Sequence, residues 1–182
     1  VNRSEIEKFA ETAFLEGKSH QEVYNELARM NDMKAQRLAE ILRKIPDLKK
    51  RRKYRLSNMV LCSLLTLIVL SRLAVLPDIL NGPLLLMIHP LLFTFIPAVL
   101  IYGVYTYKPY SHMASGFFLV LGFVLSIANV FTGTNIYVFL DMAIMIFGAA
   151  VAFYLNGKLA TDFTFNSQAD LSQREALIHF DE

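Results

Sequence analysis

The stretch "LKKRRKYRLSNMVLCSLLTLIVLSR", residues 48–72, sets six basic side chains within positions 49–55, directly against an uncharged, mostly apolar run that extends to Ser71. A cluster of this kind is either a nucleic-acid patch or the flank of a membrane span, and its neighbour decides between them. Residues 57–76 are long enough, at 1.5 Å rise per residue, to cross a hydrocarbon core of about 30 Å. The cluster therefore reads as the cytoplasmic flank of a transmembrane helix.

Three further stretches have the length and composition of spans: residues 83–106, 112–132 and 135–155. The breaks between them are short and carry turn residues, Asn81-Gly82-Pro83, then Lys108-Pro109-Tyr110, then Thr132-Gly133-Thr134-Asn135. Short breaks make neighbours antiparallel. The chain is thus expected to be all-α and polytopic, with four transmembrane helices in two antiparallel hairpins. Composition agrees: 54% of the 182 residues are hydrophobic, mean hydropathy is +0.40 and Trp is absent, on the membrane side of globular usage.

Charge sets the orientation. Residues 1–56 hold 14 of the 18 Lys and Arg against 9 of the 16 Asp and Glu, a net +5, and the remainder is −3. Lys49, Lys50, Arg51, Arg52, Lys53 and Arg55 precede the first span, Lys108 lies in the second break and Lys158 follows the fourth span. All fall on one side, with Tyr54, Tyr102, Tyr105, Tyr107, Tyr110 and Tyr154, where positive charge stays inside and tyrosine favours the interface. Both termini are therefore expected in the cytoplasm of a multi-pass cell-membrane protein, with the basic run against anionic lipid headgroups.

Four parts follow: a cytoplasmic helical head over 1–47, a basic juxtamembrane segment over 48–56, the transmembrane bundle over 57–155 and a cytoplasmic tail over 156–182. Ser4 with Glu7, and Ser19 with Glu22, have the spacing of capping boxes. They predict three short amphipathic helices with apolar faces at Ile6, Phe9, Ala10, Ala13 and Phe14, at Val23, Tyr24, Leu27 and Met30, and at Leu38, Ile41, Leu42 and Ile45. So small a head is marginal alone and is expected to dock on the membrane, the bundle or a partner. "EGKSHQEVYNELARM" is similar to the opening of a helix-turn-helix, with Lys34, Gln36, Arg37, Arg43 and Lys44 as the contacts it would use. Nucleic acid is the disfavoured partner, because the membrane flank already accounts for the basic run. The tail is expected to form a short peripheral helix from Asp170, with Leu171, Leu177 and Ile178 as its strip.

Polar groups inside the spans are costly and tend to pair. Arg72, His89, Asn129 and Asp141 lie at similar depth near the outer ends of the four spans, so an Arg72 to Asp141 ion pair with His89 and Asn129 beside it is expected. Ser115, Gly122 and Ser126 on the third span, and Gly148 and Ala152 on the fourth, supply small faces for close packing or for contact between copies. Catalysis finds no support: a single deep carboxylate makes no acid dyad, no phosphate loop is present, and His20, His89, His112 and His179 match no metal spacing. No metal and no cofactor is implied. His20 and His179 are expected on the solvated surface and His112 at the inner interface. The lone Cys62 allows no internal disulfide.

The chain thus reads as an integral membrane interaction or regulatory protein, not an enzyme. Its head would mediate assembly, either of identical copies or with a partner protein. A homo-oligomeric ion channel or small transporter built on the polar layer is the alternative, and a membrane-tethered DNA-binding regulator the third.

Overall fold

The computed structural model describes residues 2–30, 33–80, 84–130, 136–165 and 178–180, with side chains for all of these except 74–80, 84–91, 93, 128–130, 136–137 and 165. It is mostly helical and divides into two compact units, residues 1–54 with 157–182, and residues 55–156.

The first unit holds α1 (Arg3–Leu15), α2 (His20–Met30), α3 (Ala35–Leu42) and α4 (Leu48–Lys53). α1 starts earlier than the Ser4 box predicts. Asn2 is its cap, and the Asn2 N–H donates to Glu5 Oε2 at 2.8 Å. Asparagine caps as well as serine, and Asn2 with Glu5 keeps the box spacing. α1 stops at Gly17, whose φ of +91° is a conformation that side chains with a Cβ rarely adopt. The second box forms as expected: the Ser19 N–H donates to Glu22 Oε2 at 2.8 Å, and the Glu22 N–H to Ser19 Oγ at 3.2 Å. α4 is capped by Asp47, whose Oδ1 accepts from the Lys50 N–H at 2.7 Å.

Ile6, Phe14, Tyr24, Leu38, Leu42 and Ile45 form a fully buried core, and the tail completes it. β1 (Phe163–Phe165) and β2 (Ile178–Phe180) pair antiparallel, with Thr164 opposite His179. Ile178 and Phe180 point into the helical core while His179 stays exposed, as alternation along a strand requires. Gln21 of α2 joins strand to helix: its amide donates to the Ile178 carbonyl at 3.1 Å and accepts the Phe180 N–H at 3.2 Å. Ile178, predicted in a peripheral helix, therefore lies in a strand. Asp170, Leu171 and Leu177 lie outside the described residues.

The second unit is built from α5 (Arg55–Leu80), α6 (Leu84–Tyr105), α7 (Ser111–Val130) and α8 (Ile136–Leu159). Of the four predicted spans, two helices are long and apolar enough to cross a membrane among the described residues, over Arg55–Leu73 and Val138–Leu159. The described apolar stretches of α6 and α7 are shorter, Thr94–Tyr105 and Ser111–Ile127. Contacts define an up-down-up-down order. Asn58 near the start of α5 meets Val104 near the end of α6. Gly148 of α8 faces Leu64 and Leu119, and Gly116 of α7 faces Phe153 of α8.

α5, α7 and α8 each line a seam at alternating spacings of three and four, buried along its length and partly exposed at Arg72 and Asp141. On α5 this is Asn58, Leu61, Leu65, Ile68 and Arg72; on α7 His112, Ser115, Leu119, Gly122 and Ser126; on α8 Asp141, Met145, Gly148, Ala152 and Leu155. A mean period of 3.5 keeps one stripe facing its neighbours along a helix.

Candidate functional sites at the polar ends of the bundle

The two ends of the α5 seam are polar and its middle is not. Asn58 and Arg72 are separated by about 21 Å along α5 at 1.5 Å per residue, and Leu61, Leu65 and Ile68 between them are fully buried.

At the Arg72 end the guanidinium Nη2 donates to Asp141 Oδ2 at 2.8 Å, joining α5 to α8. The pair is partly enclosed, with 32% and 24% of the two side chains exposed. The Arg72 Nε is buried and finds no hydrogen-bond partner among the described residues. Of the expected polar layer, the structure brings Arg72 and Asp141 together. The side chains of His89 and Asn129 lie outside the described residues.

At the Asn58 end a second polar cluster ties three helices. Asn58 Nδ2 donates to the Val104 carbonyl of α6 at 2.9 Å, which leaves Oδ1 to accept from His112 Nε2 of α7 at 2.7 Å. That assignment puts the imidazole proton on Nε2 and turns Nδ1 toward Ser111 Oγ, 3.5 Å away. The Ser111 hydroxyl itself donates to the Lys108 carbonyl at 2.7 Å. The intervening loop is tight, with left-handed backbones at Tyr107 (φ 55°) and Tyr110 (φ 67°), an arrangement that costs about 1 kcal/mol or more per residue. A Cβ on Gly103 would lie 3.0 Å from that of Ser111, so a small residue is needed where α6 meets α7. From sequence His112 is expected at the inner interface, with no tie to Asn58. The signal was the seam spacing, since both residues continue the three-and-four pattern of their helices.

The small residues of α7 and α8 expected at helix contacts, Ser115, Gly122, Ser126, Gly148 and Ala152, are all buried. Ser115 and Ser126 return their hydroxyls to the helix carbonyls four residues back, Ser111 and Gly122, at 2.8 and 2.9 Å. Their polarity is therefore absorbed within α7.

In the first unit His20 overturns the expectation of a solvated side chain, because it is fully buried. Position 20 precedes Val23, Tyr24 and Leu27 at helical spacing, which puts it on the apolar face of α2. Its ring lies between Phe14 and Phe180, with centroids at 4.4 and 5.4 Å, and its Nε2 is 3.0 Å from the Ile45 carbonyl. Asp47 Oδ2 lies 3.8 Å from His20 Nδ1.

The basic run is divided between two tasks. Lys50 and Arg51 are half-buried: Lys50 Nζ donates to the Ala160 carbonyl at 2.9 Å and to Thr161 Oγ1 at 2.8 Å, and Arg51 Nε donates to the Pro46 carbonyl at 2.9 Å. Lys49, Arg52, Lys53 and Arg55 are exposed. Among the described residues, no group of three His, Cys, Asp or Glu side chains is placed to hold a metal ion.

These features define a mostly helical protein with, among the described residues, two helices apolar and long enough to cross a membrane, a class that by itself only weakly implies membrane association. Comparison with protein-family models, with curated proteins and with solved structures finds no match.

Proposed function

We propose that the chain is a four-span integral membrane protein, its helices in two antiparallel hairpins, whose cytoplasmic head serves an interaction or regulatory role. The observation that carries this reading is the exterior of the second unit. Leu67 of α5, Phe95 and Val99 of α6, Leu121 of α7 and Phe147 of α8 are each more than half exposed. A water-soluble bundle covers such faces with charge, whereas helices apolar on every side belong in lipid. A four-span order puts Lys49 to Arg55, Lys108 and Lys158 on one side of the membrane, and this charge bias supports a cytoplasmic location for that side.

The channel reading is weaker because the interior is filled. Leu61, Leu65, Ile68, Leu119 and Met145 close the space between the two polar ends with almost no exposed surface. A conducting path would have to run between copies. The head, by contrast, has an ordinary soluble core and a charged surface suited to contacts at the membrane face. Reconstitution of the full chain in liposomes tests both parts: the protein should resist carbonate extraction and add no ion flux over empty vesicles. Release by carbonate would remove the membrane reading, and flux lost in Asp141→Asn would transfer the function to a channel.

A further inference from the structure

The cationic run before α5 is a built surface with two sides. Lys49, Arg52 and Lys53 stand at i, i+3 and i+4, one face of the short helix α4, and Arg55 opens α5. Lys53 Nζ lies over the Tyr54 ring at 5.5 Å. None of these four cations has a carboxylate within ion-pair distance among the described residues, and all four are exposed. Like charges on one turn and a half of helix repel one another, and an anion bound across them would relieve that repulsion. The other side of α4 is fastened by the bonds of Lys50, Arg51 and the Asp47 cap. The cationic face is therefore held in position before any ligand arrives, and binding orders only side-chain ends.

We propose that this face binds the phosphate-bearing headgroups of anionic phospholipids in the same membrane that holds α5. The inference rests on the membrane reading above. It deepens the expectation that the basic run lies against anionic headgroups by assigning the binding to the α4 face of Lys49, Arg52 and Lys53, while Lys50 and Arg51 anchor the helix. Lys53 precedes by two residues Arg55, the first residue of a helix long and apolar enough to span, so chain continuity alone keeps α4 within reach of the headgroup layer, where each basic residue adds attraction. Nucleic acid suits the head less well. On α3 the exposed Glu40 stands among Gln36 and Arg37, and Arg43 is engaged by Asp162 at 2.9 Å.

Native mass spectrometry of the full chain in neutral detergent, with phosphatidylglycerol and phosphatidylcholine as probes, tests the proposal. Wild type should prefer phosphatidylglycerol. At about fivefold per cation, the variant Lys49→Gln, Arg52→Gln, Lys53→Gln should lose that preference by about a hundredfold. The charge-matched variant Lys8→Gln, Lys34→Gln, Arg37→Gln should retain it. Arg52→Gln alone, with an expected loss of about fivefold, carries the test should the triple variant unfold. Equal losses in the two triple variants, or no preference in a wild type that stays in the membrane fraction, overturn the proposal and leave the membrane reading standing. Displacement of phosphatidylglycerol by duplex DNA, lost in the same α4 variant, would give the face to nucleic acid instead. Wild type found outside the membrane fraction would overturn both.

Discussion

Asp141 sits between Leu140 and Met142 on a helix with few other polar groups, and Arg72 is the partner that makes its position tolerable. Removing one member of such a pair costs more than removing both, because the survivor keeps its desolvation penalty. Asp141→Ala is expected to destabilise by about 2–3 kcal/mol, below the range for a fully buried pair because a quarter to a third of each side chain is exposed. The double change Arg72→Leu with Asp141→Leu should recover most of that loss. Thermal unfolding in detergent of wild type, both single variants and the double decides it, and single effects that simply add would mean the two residues do not interact. Glu22 makes a second case at this scale. The Ser19 N–H, and after it the Ser19 hydroxyl, hold its carboxyl below the usual 4.5. A depressed carboxylate contributes stability above its ordinary value and loses it as pH falls through the lowered one. In an NMR titration, Ser19→Ala should bring the Glu22 midpoint part of the way back up, since the backbone donor remains. An unmoved midpoint would show that the hydroxyl plays no part.

Among the elements, the three-residue β2 places two side chains, Ile178 and Phe180, in the core of the head. Phe180 stacks near His20, Tyr24 and Phe163, with ring centroids 5.4 to 6.0 Å apart. Phe180→Ala is expected to cost about 3–4 kcal/mol as a cavity among aromatic rings that cannot collapse. Hydrogen exchange of the α2 amides would report it, and unchanged protection would mean that the strand merely lies on the surface. The helices of the head were legible in the sequence because their apolar residues repeat with a 3.6 period, in the first over two turns, as Ile6, Ala10, Ala13 and Phe14 do. The strands were not. Three residues are too few for an alternation to stand out, and Ile178 beside Leu177 mimics one turn of an amphipathic helix. The burial of His20 was hidden for a related reason: the Ser19 to Glu22 cap pattern marks where α2 starts and says nothing about which face position 20 occupies. The α1 cap moved by two residues because Asn2 and Ser4 offer the same chemistry at neighbouring positions.

For the whole molecule, the opposed ends of the bundle give a directional expectation. In a Cys62→Ser background, cysteines at positions 82 and 133, between α5 and α6 and between α7 and α8, should react with an impermeant reagent from outside intact cells. Cysteines at positions 8 and 40, exposed on the head, should not. Labelling at either head position would overturn the topology. One part of the polar architecture was legible beforehand, because Arg72 and Asp141 stand at matching depths in neighbouring apolar runs. The Asn58 and His112 cluster was hidden because neither side chain is charged at sequence level, and only the helix packing shows that they point at each other. The completion of the head by the tail also bears on how the protein is made. The apolar face shared by α1, α2 and α3 is synthesised early, but Phe163, Ile178 and Phe180, which cover it, emerge only after everything between them has been translated. From Pro46 to Phe180 the ribosome adds about 135 residues, roughly 7–27 s at 5–20 residues per second. During that interval the nascent head presents an open core to chaperones and proteases. A chain stalled within α5 to α8 never closes it, so a closed head reports that translation has passed β2.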